Sequence, residues 1–464
     1  MARQTRDFTQ GNPGKQLLLF SWPLIMAMIL QNLYNMADTL IVGRFLGDTA
    51  MGAVGTAGTV TNVVLMLVGG ATQGASVVIS QYIGAKEEGN VKKALMTAVY
   101  IIVGLALVFG IIGLIASPAL LRMINVYGEA NVLASQYLRI IFAGTIATAL
   151  YNMGYVISRS LGDSMTPMIV LIFTSVLNVV LNVVFVVTFD MGVAGVGYAT
   201  ILATAIAALI CWVIIWRRCP IIRPDKDSVK PDGEMAKVIT KIGVPSALMS
   251  STNMIGILVV QSLVNGFTTV TLPVMAAYAA ATKIEALISY PPGGISQGMQ
   301  VLAGQNVGAG KFERVGQGLK AAIKIIAVYS AFSAAVLILG GRAFMGFFTD
   351  TPATITIGYA YLFCTAIGLF LCGVVFTVRY TLNGAGDASA SAILSVIELV
   401  ARIAGAYIFS HFTSLGYIGI FIGTPFGWLV ASAAAVIRFK SGKWKSKRIV
   451  KASANERTAE AAEV

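Results

Sequence analysis

Residues 69–85 read GGATQGASVVISQYIGA, and residues 293–309 read GGISQGMQVLAGQNVGA. At this offset of 224 residues, eight of the seventeen positions are identical: Gly69, Gly70, Gln73, Gly74, Val77, Gln81, Gly84 and Ala85 recur as Gly293, Gly294, Gln297, Gly298, Val301, Gln305, Gly308 and Ala309. The same shift brings Gly162 and Asp163 onto Gly386 and Asp387, and Gly192, Gly195 and Thr200 onto Gly416, Gly419 and Thr424. One offset that aligns three distant segments marks an internal duplication.

The segments around these motifs are apolar. Of the 464 residues 57% are apolar and 11% charged, against roughly 45–50% and about 25% in an ordinary soluble domain. So little charge cannot coat a water-facing surface, which excludes a secreted, cytoplasmic or disordered protein and requires lipid around most of the chain. Apolar runs between charged or Gly/Pro punctuation predict twelve spans near 17–42, 53–83, 94–116, 132–157, 166–188, 193–216, 242–264, 273–307, 319–340, 354–378, 389–411 and 415–437. Each repeat then holds six spans, an even number. The second enters the membrane in the orientation of the first, so the repeats are parallel, an arrangement suited to alternating access. The expected organisation is a lobe over 1–216, a Pro- and charge-rich linker over 217–241, a second lobe over 242–438 and a basic tail over 439–464.

The net charge of +13 would suggest nucleic acid on a soluble protein; here it reports topology. Basic residues gather before the first span (Arg3, Arg6, Lys15), at Lys86, Lys92 and Lys93, in the linker, at Lys311, Arg314 and Lys320, and in the tail. The loops of opposite side hold only Arg44, Arg122, Arg139 and Arg342. By the positive-inside rule both termini are cytoplasmic, in a multi-pass protein of the plasma (inner) membrane. The apolar run from Leu17 to Val42 is too long for a signal-peptide core.

Ionisable residues within spans cost on the order of 3 kcal/mol each if they face lipid, so they face an interior or a wet cavity. Asp38 in the first span shares a helix face with Tyr34, and a carboxylate there can exchange a proton for a cation. Capping or a loop contact is its structural alternative. Asn178 and Asn182 share a face of span 5, with Asn152 in span 4 and Thr200 in span 6. They either lock helices together or line a hydrated pocket, and beside Asp38 they read as a proton or cation pocket. Glu398 and Arg402 are spaced for an intrahelical ion pair, either structural or lining a substrate cavity. Lys283 and Glu285, two apart, point to different faces, with Glu285 a candidate anion for a cationic substrate. His411 alone cannot build a metal site, and no phosphate-binding GxxxxGK[ST] loop is present.

The stretch PLIMAMILQNLYNMADTLIVGRFLG (23–47), with its YNMAD segment, and the paired GGxxQG…QxxGA motifs resemble the multidrug and toxic compound extrusion (MATE) transporters, with DinF-like features. The resemblance covers nearly the whole chain. It implies an all-α integral membrane protein whose two six-helix lobes form a V, and efflux of small molecules driven by protons or sodium, with no enzymatic activity and no cofactor. It places the coupling ion at Asp38, its polar partners at Asn152, Asn178 and Thr200, and the first-helix bend at Pro23. Where many relatives carry a second aspartate, this sequence has Asn182. A single carboxylate favours H+ over Na+, although Na+ at Asp38 stays open. The seventh span lacks an acidic residue, which argues against coupling there.

The function expected is a monomeric, proton-coupled exporter of amphipathic cationic small molecules, in contact with the lipid bilayer and not with nucleic acid. Alternatives are a flippase of lipid-linked or anionic amphipaths in the same superfamily and, remotely, a membrane-embedded lipid-modifying enzyme.

Overall fold

The computed structural model describes residues 6–267 and 273–450, and no strand occurs among them. Arg3, Lys451 and Arg457, counted among the basic flanks above, lie outside the described residues. The first repeat consists of α1 (Pro13–Leu46), α2 (Asp48–Gly84), α3 (Glu88–Met123), α4 (Gly128–Ala143), α5 (Thr145–Ser160), α6 (Met165–Val183) and α7 (Gly192–Arg218). The second consists of α8 (Gly233–Gly266), α9 (Val274–Gly308), α10 (Phe312–Gly346), α11 (Pro352–Gly384), α12 (Ala388–His411) and α13 (Tyr417–Lys440).

Each predicted span has its helix. The fourth is broken: α4 and α5 meet at Gly144 with a 55° bend, where a side chain on Gly144 would overlap Ile201 of α7. Among the described residues nine helices are long and apolar enough to cross a membrane, or eleven if each of two bent pairs is one span. The twelfth, α9, is 35 residues long and carries Lys283, Glu285 and the polar GGISQG motif. Most helices overrun the predicted spans by a few residues, because a terminal charge can reach water while the backbone stays helical.

The duplication is visible in the backbone. Gly162 and Gly386 both take positive φ, as do Gly192 and Gly416. The repeated glycines turn out to be where the two repeats touch. A side chain on Gly70 or Gly74 of α2 would overlap Ala247 or the backbone at Ile239 and Gly243 of α8; one on Gly294 or Gly298 of α9 would overlap Ile25, or Ser21 and Leu17, of α1. This is small-xxx-small packing used twice. At the end of the bundle that carries both termini, α2 and α9 cross so closely that a methyl on Gly84 would overlap the carbonyl of Gln305, and one on Gly308 the carbonyl of Gln81.

The crossing is tied symmetrically. Gln81 Nε2 donates to the Gly384 carbonyl at 3.1 Å and Gln305 Nε2 to that of Ser160 at 2.9 Å. Their Oε1 atoms accept from the backbone N–H of Ile449 and of Phe8, so both terminal segments strap the same junction. Phe8, fully buried, packs edge-on against Phe20. Replacing Gly84 or Gly308 by Val is expected to prise the crossing apart, seen as a lower detergent melting temperature and as new cysteine-labelling access at Gln305→Cys. Unchanged melting would contradict the close contact.

The segment between the repeats is held at its middle: Lys92 Nζ lies 3.2 Å from Asp225 Oδ2. The Ser228 N–H and hydroxyl, with Lys92, hold the exposed Asp225 carboxyl down at about 2, below the usual carboxylate range.

Candidate functional site

Helix α1 runs unbroken past Pro23 to Leu46, so Tyr34 and Asp38, four residues apart, look the same way. Facing them, α6 presents Asn178 and Asn182, both essentially fully buried. Asn182 Nδ2 donates to Asp38 Oδ1 at 2.6 Å and to Asn178 Oδ1 at 2.7 Å. Asn178 Nδ2 in turn lies 3.4 Å from Thr200 Oγ1 on α7, which donates to the Val196 carbonyl at 2.9 Å. One chain of polar contacts therefore joins three helices and ends on the carboxylate.

Both N–H groups of Asn182 are spent on this chain, and its buried Oδ1 has no hydrogen-bond partner among the described residues. A buried acceptor left open costs free energy unless something uses it. Directly after Asn182 the helix widens into a π-turn, Val184–Thr188, a distortion common at functional sites. Asp38 also borders a cavity of about 600 Å³ with Tyr34, Asn152, Thr200 and Tyr137 in its wall. Asn152 lines this cavity and a smaller one of about 320 Å³ between the repeats, where Asn32 Nδ2 donates to the Tyr290 hydroxyl at 2.7 Å. Tyr137 is a wall residue that the sequence reading did not single out, since a tyrosine in an apolar span looks like lining.

The second repeat holds a separate charged cluster. Glu398 Oε1 accepts from Arg402 Nη2 at 2.5 Å, the pair expected from spacing, and Oε2 accepts from Arg379 Nη1 at 2.7 Å. All three are buried. Arg379 also donates to Ser395 Oγ at 3.0 Å and stacks over Phe376. The sequence reading missed Arg379 because it ended the tenth span at residue 378, whereas α11 continues to Gly384.

A cavity of about 490 Å³ adjoins this cluster, with Glu285, Tyr361, Arg379 and Arg402 in its wall alongside Met28 and Met249. The Tyr361 hydroxyl donates to Glu285 Oε2, and its ring meets Tyr278 edge-on at 5.2 Å. Two arginines and two glutamates balance when both acids are ionised. Glu398 sits behind the two arginines and is absent from the cavity wall. Lys283 is exposed and also absent from that wall, while Glu285 belongs to it. Thus Asp38, Tyr34, Asn178, Asn182 and Thr200 come together, with Asn152 across the cavity; of the second-repeat candidates, Glu285 and Arg402 share a cavity. Among the described residues no three His, Cys, Asp or Glu side chains gather as a metal site.

The comparisons with known proteins agree with this architecture. The family model described as MatE matches twice, over residues 23–184 and 242–408, once in each repeat. The chain is 31% identical over 446 residues to "Probable multidrug resistance protein YpnP" of Bacillus subtilis (strain 168), covering 96% of this chain and 98% of that one. It is 25% identical to "Multidrug export protein MepA" of Staphylococcus aureus (strain NCTC 8325 / PS 47), over 84% of this chain and 86% of that one. A solved structure described as the outward-facing conformation of a multidrug resistance MATE family transporter of the MOP superfamily superposes with a TM-score of 0.88 at 26% identity, covering 96% of this chain and all of the other. With twelve spans, the fourth broken into α4 and α5, in two parallel six-span repeats of the V-shaped, two-lobed transporter fold, the chain belongs to the MatE family.

Proposed function

We propose that the chain is a secondary active exporter of amphipathic, cationic small molecules, driven by protons that bind Asp38. The observation that carries this reading is the chain from Thr200 through Asn178 and Asn182 to Asp38, with the Asn182 carbonyl left open. As arranged, Asn182 donates to Asp38, which suits an ionised carboxylate, while the remaining donors run the other way, from Asn182 to Asn178 and from Asn178 to Thr200. A protonated Asp38 is a donor and needs an acceptor. Rotation of the Asn182 amide supplies one and breaks its link to Asn178. One proton thereby changes how α1 is held against α6.

Pro23 gives α1 a place to respond, because it has no N–H to offer the Leu19 carbonyl and leaves one rung of the helix missing. In the proposed cycle, protonation from outside rearranges α1 and loosens substrate; release of the proton to the inside restores the first arrangement. The membrane potential adds about 2.3 kcal/mol per charge for each 100 mV. The closed crossing of α2 and α9 at the terminal end, and the likeness to an outward-facing structure, support an outward-facing state with both termini cytoplasmic. The two repeats supply a complete pathway within one chain, which supports a functional monomer.

In the second lobe Glu285 is the anion for a cationic group, and the surrounding Met and aromatic side chains adapt to varied apolar shapes. The alternative of an anionic substrate finds less support, since Glu398 pairs both arginines and Glu285 on the same wall completes the balance of charge. Sodium would have a single carboxylate here, the other side-chain oxygens of the wall belonging to neutral residues, Asn, Thr and Tyr among them. The test is transport in proteoliposomes loaded with a cationic dye under separately imposed pH and sodium gradients. Uphill dye movement with the pH gradient alone is expected; movement that requires sodium would reverse the assignment of the ion. Glu285→Gln is expected to weaken transport of cationic dyes more than of neutral ones, read as a raised half-saturation concentration.

A further inference from the structure

At the terminal end of the second repeat lies a cavity of about 910 Å³ that the proposed cycle does not use. Its floor is apolar and open to the surroundings: Ile393 of α12 is 60% exposed and Ile437 of α13 is 70% exposed. Its rim is basic. Lys241 of α8, Arg438 at the end of α13, and Lys443, Lys447 and Arg448 in the following segment all line it, against a single acid, Asp387. That acid is committed, because Asp387 Oδ2 accepts from Arg438 Nε at 2.9 Å and Nη2 at 2.7 Å. Among the described residues no carboxylate lies within ion-pair distance of Lys241, Lys443 or Lys447.

The duplication provides an internal control for whether the fold needs this charge. Shifted back by 224 residues, Arg438 becomes Ile214, Lys443 becomes Cys219, Arg448 becomes Pro224 and Lys241 becomes Leu17; only Lys447 keeps a cation, Arg223. The first repeat makes the same helices with its cations at other positions, Arg217 and Arg218 in the last turn of α7, so the fold does not require cations at the positions of this rim. An apolar floor exposed to the bilayer beneath unpaired lysines at the water boundary has the two-part chemistry of a membrane lipid carrying a negative headgroup.

We propose that this groove binds an anionic glycerophospholipid of the leaflet on the side of the termini, with its phosphate at Lys241, Lys443 and Lys447 and its acyl chains over Ile393 and Ile437. The bound lipid steadies the segment after α13, which is the strap across the repeat junction: the Ile449 N–H reaches Gln81 Oε1 at 2.8 Å and Arg448 Nη2 reaches the Gly308 carbonyl at 2.8 Å. Anionic lipid therefore favours the conformation closed at that end.

The test uses the full chain in nanodiscs of phosphatidylcholine alone or with phosphatidylglycerol, reading the melting temperature and the lipids retained in native mass spectrometry. Phosphatidylglycerol is expected to raise the melting temperature and to be retained, and the exposed double variant Lys443→Gln/Lys447→Gln to lose both effects. A double variant of equal charge change in the segment between the repeats, Lys226→Gln/Lys230→Gln, is expected to keep them. Three results would overturn the proposal: no response to phosphatidylglycerol, equal losses in both double variants, or the same rise from inorganic phosphate in phosphatidylcholine discs. The readout is binding, so failure of the transport reading above leaves this test standing.

Discussion

Asp38→Asn is expected to leave a folded transporter that equilibrates substrate across the membrane but no longer accumulates it uphill. The substitution keeps the size of the side chain and an oxygen able to accept from Asn182 Nδ2, now 2.6 Å away, so the contacts that hold α1 to α6 survive. What disappears is the ability to take and release a proton. Removing a charge from a membrane interior also relieves an unfavourable term, so stability should not fall. The expected readings are a melting temperature at or above that of the native chain, substrate counterflow retained, and gradient-driven accumulation reduced to the background of protein-free vesicles. Native-level accumulation would mean that the coupling proton binds elsewhere. Asn182→Ala should act in the same direction but less completely, because the carboxylate remains while the partner that reports its protonation is lost.

Glu398→Gln is expected to have the largest effect on stability. Glu398 is the shared anion of two buried arginines, with one oxygen on each guanidinium. Removing one partner of a buried ion pair costs about 3–5 kcal/mol, because the charge left behind is neither solvated nor paired. Here two such charges remain. The expected outcome is a sharply lowered melting temperature in detergent and a reduced folded yield. Replacing the whole cluster, as Arg379→Met/Glu398→Leu/Arg402→Met, removes the stranded charges and should recover much of the loss. If that triple variant is stable and transports, the cluster is structural; if it is stable and inactive, the two arginines in the cavity wall act on substrate. A Glu398→Gln chain as stable as the native one would contradict the shared-anion geometry.

Much of this molecule was legible in the sequence because lipid enforces simple rules. Apolar runs of spanning length must be helices, and the glycine motif repeated at a fixed offset could only place two copies of one unit side by side. The motif also said more than its repetition: Gly70, Gly74, Gly294 and Gly298 are glycine because the first helix of the opposite repeat lies against them. Sequence spacing paired Tyr34 with Asp38 and Glu398 with Arg402 because those contacts lie within one helix. It could not supply the contacts between helices: residue type alone grouped Asn182 with Asp38 in one pocket, and the bond between them comes from the packing of α6 on α1.

Arg379 escaped for a different reason. A rule that ends a span at the first charge discards an arginine whose partner sits on another helix, and α11 stays helical through it. Lys283 shows the converse, an ionisable residue inside a predicted span that reaches an exposed position and leaves the cavity to Glu285. The break at Gly144 depends on the approach of Ile201 from α7 and has no local signature beyond the glycine.

The central claim, that a proton on Asp38 drives substrate the other way, is tested most directly by counting protons. Sodium-free proteoliposomes carrying a trapped pH dye, with the membrane potential clamped, would be given a gradient of cationic substrate and no pH gradient. The account predicts that substrate flowing down its gradient drives protons in the opposite direction through the native chain, and that Asp38→Asn carries substrate with no proton movement. Proton movement of native size through Asp38→Asn, or substrate flux through the native chain without any, would contradict it.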